Sequence, residues 1–435
     1  MLLQFNITNA LSFKREAILD LVAGNDTSHK EILITSGRQR VNPTVAIYGA
    51  NAAGKSNLFK ALTAAIMFVR NSAGMQIDTP TGIVPFVMDE EGRSGKTRFD
   101  FIFVFEGIKY EYGFVADSVK VYEEYLYEYR SAKPSMVFER ENINEYRYTA
   151  PLKKMLKPFE EKNTDNKLFL ATATAWNCKV TEKPYRWFAE MIDTYDGDSV
   201  QAAMANALDG DDGEEIREFA KKYLRAADFN ITDYNFTVKK GKPEEFVLPP
   251  GLTFDESFLA NMKQWELKMV HSVEENGKVN TIELPFHMES SGTQLYFAYC
   301  PAIYRALKKG KTVVIDEIDN GLHPLLVRSL VNLFHDHNTN PNGAQLIFNT
   351  HNPMYLNNKL LRRDEIKFVE RDDDTKSAQL YALSDFKTNS GETSVRKTSD
   401  YMKNYFVNRY GAILEVDFTD LILEFLKTKE EKSDA

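Results

Sequence analysis

The chain has 435 residues, which is too long for one small domain and long enough to bury a large core, so its length favours one or two domains. Hydrophobic residues make up 43% of it and charged residues 27%, ordinary values for a globular protein that argue against disorder and against a fibre. The formal net charge of −9 does not indicate a broad nucleic-acid-binding surface, although a local basic patch is compatible with it.

Targeting and redox features are also missing from the sequence. No apolar stretch approaches the roughly 20 residues that cross a bilayer, and the first residues lack the basic region of a signal peptide. The two cysteines, Cys178 and Cys300, have no metal-ligand spacing and support neither a disulfide framework nor a zinc site. We therefore expect a cytoplasmic protein with no membrane association.

The first predicted elements are strands followed by a helix. Leu2 to Phe13 is rich in strand formers, and Thr44 to Tyr48 is a short apolar run that ends at a glycine. After Lys55, apolar residues recur at steps of three and four, which predicts one buried helix face. The residues of that face are Leu58, Leu62, Ile66 and Val69.

The loop between this strand and this helix carries a phosphate-binding motif. Residues 49–56 read Gly-Ala-Asn-Ala-Ala-Gly-Lys-Ser and match the full G-x-x-x-x-G-K-[ST] pattern. Its backbone N–H groups would face the phosphates, Lys55 would reach the β- and γ-phosphates, and Ser56 would offer its hydroxyl to Mg²⁺. The loop residues expected at ATP are Gly49, Asn51, Ala52, Ala53, Gly54, Lys55 and Ser56.

An aromatic hairpin and a helical region follow. Phenylalanines alternate from Phe99 to Phe105, Glu106-Gly107 reverses the chain, and Tyr122 to Tyr129 predicts a further strand. A sheet core explains these aromatic stripes better than a base-stacking surface. From Arg147 to Met269 helix-like patterns, such as Glu214 to Ala226, alternate with polar stretches and predict a helical insertion.

A second strand delivers two carboxylates. Lys311 to Ile315 is apolar and runs directly into Asp316-Glu317, as expected of a buried parallel strand that ends at a ligand site. We predict that Asp316 holds magnesium and that Glu317 orients and deprotonates the attacking water. A strand that merely ends in acidic residues is the alternative, which the phosphate loop makes less attractive.

Two further motifs point to phosphate. The strand Gln345 to Phe348 ends in Asn-Thr-His-Asn-Pro, which places His351 at a strand tip where it could hydrogen-bond a γ-phosphate. Ser290-Ser-Gly-Thr293 precedes a helical run from Gln294 to Lys308, so backbone N–H groups could again face an anion. For that tetrapeptide alone, a plain helix cap is the commoner interpretation.

In order and spacing these motifs resemble the ABC-type ATPase heads, in the AAA branch that includes the overcoming-lysogenisation-defect, RloA and AbiL anti-phage ATPases. The resemblance spans most of the chain. Residues 49–56 followed by Asn57 stand for Walker A, residues 289–293 for the signature motif, Val313 to Glu317 for Walker B, and His351 for the switch histidine.

The resemblance implies a fold and a mechanism. The fold is α/β, a P-loop NTPase of ABC-ATPase type, with a mixed sheet, an antiparallel β-subdomain and a helical insertion. The mechanism is a homodimer, or higher homo-oligomer, in which each ATP lies between the Walker motifs of one chain and the signature residues Ser290, Ser291 and Gly292 of the other. Asn57 would join the ATP contacts, and ATP and Mg²⁺ are the implied cofactors.

Other assignments from the resemblance are weaker. Residues 318–323 take the place of the D-loop, with His323 where many members have aspartate, so a D-loop contact and a plain helix start are equally open for it. The stretch from Gln76 to Arg98 shows no clear Q-loop glutamine, and Phe13 and Lys14 are only weak candidates for base contacts.

Domain boundaries follow from these motifs. We expect an ATPase lobe with the phosphate loop and the antiparallel subdomain over 1–146, a mainly helical insertion over 147–269, a lobe with the signature, the carboxylates and the switch histidine over 270–383, and a C-terminal helical segment over 384–435.

Among functions, we favour the regulatory ATPase of an anti-phage, abortive-infection system that controls a separately encoded protein effector, a nuclease or a toxin. The alternative is an ATPase like the SMC or lysogenisation-defect proteins, acting on DNA ends in repair or nucleolytic processing. The segment after His351 is too short for a fused nuclease beside the closing strands of the ATPase, and the insertion lacks the sustained heptads of SMC arms. Nucleic-acid binding remains possible, and a membrane transporter subunit is disfavoured.

Overall fold

The computed structural model describes residues 1–227, 230–240, 263–386 and 395–413, together with residues 418, 419 and 422. The strands are β1 (Leu2–Thr8), β2 (Ala17–Asp20), β3 (Ile34–Ser36), β4 (Gln39–Val41), β5 (Thr44–Tyr48), β6 (Thr97–Phe105), β7 (Ile108–Ala116), β8 (Val121–Tyr129), β9 (Ser135–Glu141), β10 (Glu145–Tyr148), β11 (Ile192–Tyr195), β12 (Ile231–Lys240), β13 (Lys263–Glu275), β14 (Lys278–Pro285), β15 (Thr312–Ile315), β16 (Gln345–Asn349), β17 (Ile366–Arg371) and β18 (Ala378–Ala382). The helices are α1 (Lys55–Asn71), α2 (Glu90–Ser94), α3 (Ala150–Leu156), α4 (Phe169–Ala175), α5 (Lys179–Glu190), α6 (Gly197–Leu208), α7 (Gly213–Ala226), α8 (Ser291–Lys309), α9 (Pro324–His335) and α10 (Tyr401–Phe406).

The central sheet positions the site. Its strand order is β11-β15-β16-β5-β17-β18; neighbouring strands from β11 to β17 are parallel, and β18 runs antiparallel to β17. Every residue of β5, β15 and β16 is buried because both faces of the sheet are covered. Since parallel strands end at the same edge, the residues that follow β11, β15, β16 and β5 meet there.

A second, antiparallel sheet forms the predicted β-subdomain. Its order is β10-β9-β8-β7-β6-β1-β2. The β6–β7 hairpin turns at Glu106 and Gly107, whose φ angles of 47° and 76° suit the two-residue turn that matches strand twist. The predicted aromatic hairpin and the strand that ends at Tyr129 are confirmed, and the alternating phenylalanines of β6 lie in the core.

One hydrophobic core joins the two sheets. The predicted face of α1 (Leu58, Leu62, Ile66 and Val69) is buried there with residues of β1, β5 and β6. Trp187 of α5 stacks on Phe103 of β6, with ring centroids 4.1 Å apart. A second core covers the opposite face of the central sheet and contains the buried apolar residues of α8 and α9. The phosphate-loop helix is therefore held between the two sheets, whereas the signature helix packs on the other side.

The region predicted as a helical insertion contains strands as well as helices. Helices α3 to α7 fill residues 150–226, but β11 lies among them and forms an edge of the central sheet. Residues 231–240 and 263–269 belong to a three-stranded antiparallel sheet of β12, β13 and β14, so helix is the wrong prediction for them. In β12, Tyr234, Phe236 and Val238 alternate with polar residues, as is typical of a strand, but charged residues flank them.

Two further predictions from the sequence concern the C-terminal segment and the lack of a membrane-spanning helix. Of the C-terminal segment 384–435, the short helix α10 is described, and the charged tail 427–435 lies outside the described residues. In the described ranges, no helix has the length and apolar character needed to span a bilayer. The domain boundaries given above remain predictions.

Candidate functional site

The phosphate loop connects the C-terminal end of β5 to α1. Gly54 caps the helix with a φ of 115°, and Ala52 is also left-handed, so the loop bends sharply before Lys55 begins the helix. A Cβ on Gly49 would lie 2.3 Å from the carbonyl oxygen of Val369, so only glycine fits against β17. The backbone therefore has the curvature that a phosphate-binding loop requires.

Lys55 is held across this loop. Its ammonium group donates hydrogen bonds to the carbonyl oxygens of Gly49 and Ala50, at 2.9 and 3.0 Å, and it is nearly buried. Burial lowers the Lys55 pKa to about 8, while the nearby carboxylates of Glu317 and Asp316 act in the opposite direction. Lysine and carboxylates thus share one small region, although they are more than 260 residues apart in sequence.

The remaining loop residues differ in exposure. Asn51 and Ala52 are exposed, Ala53 and Gly54 are buried, and Ser56 is half-buried at the first turn of α1. The side-chain amide of Asn57 donates to the hydroxyl of Ser12, which itself lies close to Gly54. In the described structure Asn57 thus anchors the 9–14 segment, and an ATP contact by it remains a prediction.

The two carboxylates follow β15, as the sequence predicts. Asp316 is half-buried and Glu317 is exposed. Asn349, the last residue of β16, contacts both: its amide nitrogen donates to Asp316 Oδ1, and its amide oxygen accepts the backbone N–H of Glu317. Sequence patterns predict no role for Asn349, because a strand-terminal asparagine does not reveal which neighbouring strand it faces.

His351 lies two residues beyond β16 and is exposed at the same edge. Partial desolvation, followed by the charge of Lys55, lowers the His351 pKa below its ordinary value, while Glu317, Asp319 and Asp316 oppose the shift. The imidazole can donate an N–H to a phosphate oxygen.

The signature residues begin α8. The Ser290 hydroxyl accepts the backbone N–H of Thr293 at 3.1 Å, so the plain cap weighed from the sequence does form. Ser290 and Ser291 are exposed, whereas Gly292 is packed so closely against Gly321 that a Cβ would lie 2.3 Å from its carbonyl oxygen. Within the described residues, no hydrogen bond joins 290–292 to the phosphate loop of the same chain.

The segment between the carboxylates and α9 links these motifs. Asp319 accepts a hydrogen bond from the Thr350 hydroxyl at 2.7 Å, and Gly321 contacts the signature turn. His323 is the N-cap of α9, its ring nitrogen accepting the N–H of Leu325. Of the two interpretations left open for His323, the helix-start role is present in the described structure.

Two candidates for contacts with the base lie in unsuitable places. Phe13 is fully buried in the core, and so it cannot stack on a base. Lys14 is paired with Asp89 and Glu91 at 2.7 and 2.6 Å. The segment 76–98 forms a loop, α2 and the first residues of β6.

The end of β11 is a part of the site that the sequence did not indicate. Tyr195 pairs with Ile315, and its carbonyl oxygen accepts the N–H of Asp316 at 2.9 Å, which brings Asp196 beside Asp316. Asp196 caps α6 by accepting the N–H of Ser199. A groove of about 550 Å³ between α1 and β11 opens here. A four-residue strand with alternating polarity inside a helical region gives little sequence signal.

The donor atoms at this edge suit a magnesium ion. Carboxylate and hydroxyl oxygens are the hard ligands that Mg²⁺ prefers, usually with phosphate oxygens and waters completing the shell. Asp316 has one carboxylate oxygen bound by Asn349, and the Ser56 hydroxyl lies at the start of α1. Asp316 and Ser56 are therefore the residues that would hold the ion.

Together, the strand order and the motifs at one sheet edge define a P-loop ATPase of the ABC type, and the predicted fold class is confirmed. Residues 45–357 match the model of the family described as AAA domain, putative AbiEii toxin, Type IV TA system. The chain belongs to this family.

Two solved structures align with most of this chain. The SMC head domain from Thermotoga maritima aligns over 88% of this chain and 98% of its own, with 13% identity and a TM-score of 0.38. The Smc head domain with an extended coiled coil bound to the C-terminal domain of ScpA, from Pyrococcus furiosus, aligns over 88% and 96%, with 11% identity and a TM-score of 0.36. A search of curated proteins gave no match.

Proposed function

We propose that this protein is an ATP-hydrolysing switch whose complete site forms between two copies of the chain. One observation carries the proposal: Lys55, Asp316, Glu317 and His351 lie at one sheet edge, while the signature turn faces outward without a hydrogen bond to its own phosphate loop. A second chain could bring its signature turn over the bound ATP. ATP would then be hydrolysed only when two chains are assembled.

Exposed apolar side chains support a contact at this surface. Met288 precedes the signature, Leu325 follows the D-loop segment, and Met354 follows the switch histidine; each is more than half exposed. Single exposed apolar residues need no explanation, but three that flank three motifs suit a surface that becomes covered. The dimer is therefore proposed to close on the nucleotide face.

Within such a site the residues divide the chemistry. Lys55 and the loop N–H groups would bind the β- and γ-phosphates and neutralise their charge. Magnesium, held by Asp316 and Ser56, would supply further charge neutralisation at the phosphates. Glu317, exposed and not assigned to the metal, would accept a proton from the attacking water, and His351 would donate a hydrogen bond to the γ-phosphate.

A negative charge placed at the signature should slow this reaction. Ser290→Asp keeps the helix cap, because aspartate is as good an N-cap as serine, but it presents a carboxylate to the partner's triphosphate. We expect ATP turnover to fall by about 10-fold or more, the effect of 1.4 kcal/mol of charge repulsion in the transition state. Steady-state phosphate release measures it.

Ser290→Asn is the matched control, since asparagine also caps the helix and adds no charge. It should keep most of the turnover, and both variants should melt like the wild type. Equal turnover in the aspartate and asparagine variants would show that no phosphate approaches Ser290.

For the cellular role, we infer a regulatory ATPase of an abortive-infection type system that controls a separate nuclease or toxin. The support is the family's description, which names a putative toxin and a toxin–antitoxin system. Purification of the tagged chain from its native host, with mass spectrometry, should recover the product of an adjacent gene. Recovery of a permease instead, or turnover that depends on DNA ends, would contradict this role.

A further inference from the structure

Asn349 occupies a position that no motif assigns. It ends β16 with its side chain fully buried, beside the Asp316 carboxylate and the Glu317 backbone that follow the neighbouring strand β15. Its amide nitrogen donates to Asp316 Oδ1, and its amide oxygen accepts the backbone N–H of Glu317. One side chain therefore contacts both the predicted metal ligand and the predicted base.

We propose that Asn349 is a positioning residue that fixes Asp316 for magnesium and Glu317 for the water. The proposal rests on the ATP hydrolysis proposed above, and it adds a residue outside the phosphate loop, the carboxylate pair and the switch histidine. Partners that orient metal ligands contribute strongly to metal affinity, although they never touch the ion.

The contact with Asp316 decides which of its oxygens stays available. With Oδ1 held by the amide, the carboxylate cannot rotate freely, and Oδ2 remains for the ion. A carboxylate that is already oriented loses less freedom when it binds the ion. Asn349 thus lowers the magnesium concentration that the site needs.

The contact with Glu317 holds an unfavourable backbone conformation. Glu317 has a φ of 53°, in the left-handed region that non-glycine residues seldom adopt. Its N–H is satisfied by the Asn349 amide oxygen, and this bond directs the chain out of the strand immediately after Asp316. The exposed direction of the Glu317 side chain follows from that turn.

Asparagine is the residue type that suits both contacts. It has a donor and an acceptor on one short, planar group. Aspartate at this position would keep the acceptor toward Glu317 but set a second carboxylate against Asp316. The next residue extends the arrangement, because Thr350 donates to Asp319 at 2.7 Å, so the tip of β16 touches both the carboxylates and the D-loop segment.

The test compares Asn349→Ser with Asn338→Ser. Asn338 also donates to an aspartate, Asp336 at 2.9 Å, but in an exposed turn before β16, so it controls for the loss of an asparagine–aspartate hydrogen bond. The readout is binding of a fluorescent, non-hydrolysable ATP analogue, titrated with Mg²⁺ and also measured in EDTA.

For Asn349→Ser, which removes the amide and adds no charge, we expect the half-saturating Mg²⁺ concentration to rise by about 10–100-fold, with analogue binding in EDTA unchanged. Asn338→Ser should match the wild type in both. Asn349→Ala, which also removes the amide, should show the same direction of change and serves if the serine variant melts early.

Failure of the two proposals can be told apart. If the wild type hydrolyses ATP and responds to Mg²⁺, but a folded Asn349 variant has the wild-type Mg²⁺ requirement, Asn349 has no positioning role. If the wild type itself neither hydrolyses ATP nor responds to Mg²⁺, the proposed function is wrong.

Discussion

Glu317→Gln is expected to lower ATP turnover by about 10²–10⁴-fold, the range that a positioned general base contributes. Glutamine keeps the size of the side chain and the backbone bond from Glu317 N–H to Asn349, so ATP and Mg²⁺ should still bind. The loss comes from the carboxylate alone, because an amide cannot accept the proton of the attacking water.

The same variant should also accumulate a dimer. If ATP is held between two chains, a chain that binds but cannot hydrolyse keeps the dimer closed, which light scattering after gel filtration with ATP would detect. Glu218→Gln, the same change at an exposed position of α7, is the control and should behave as the wild type. Near-normal turnover by Glu317→Gln would remove Glu317 from the proposed role.

Lys55→Ala is expected to weaken ATP binding by about 10–100-fold or more, since each hydrogen bond from a charged group contributes roughly 1.5–3 kcal/mol. The ammonium is already desolvated and aimed into the loop, where it bonds the carbonyl oxygens of Gly49 and Ala50. Removing it eliminates both the cation that faces the phosphates and two bonds that hold the loop. Binding of a fluorescent ATP analogue measures the effect.

Lys154→Ala provides a control, because Lys154 is an exposed lysine of another helix, α3. It should bind ATP as the wild type does, and thermal melting should show both variants folded. Tight binding by a folded Lys55→Ala variant is incompatible with the phosphate-loop assignment.

The elements that were predicted correctly are those that a local sequence pattern specifies. The apolar run Thr44 to Tyr48, the glycines of the loop and the helical spacing from Leu58 to Val69 each specify their own element, and the structure has all three. The same holds for the alternating phenylalanines of β6. In each case a residue's neighbours in sequence determine its structure.

The features that the sequence did not predict are those that depend on which elements become neighbours in the fold. The short β11 gains its position from pairing with β15, 120 residues later in the register from Ile192 to Thr312. Asn349 matters only because β16 lies beside β15. In the same way, the close approach of Gly292 to Gly321 could not be read from either glycine. Such contacts are set by tertiary packing, which local periodicity does not encode.

The antiparallel β12–β14 sheet was not predicted from the sequence, for a different reason. Tyr234, Phe236 and Val238 alternate as a strand should, but they follow directly on the helix pattern of α7 and stand among charged residues. The sheet packs one face on the core through Tyr234, Leu267 and Met269. A strand whose apolar face is only partly covered resembles a polar stretch when the sequence is considered alone.

The most direct test of the central claim mixes two variants that are each expected to be impaired in ATP turnover, Lys55→Ala and Ser290→Asp. A dimer with one chain of each kind contains one site built from an intact phosphate loop and an intact signature, so ATP turnover should return on mixing. If the mixture stays as inactive as its parts, although both variants fold and associate, the site is not shared between chains and the proposal is contradicted.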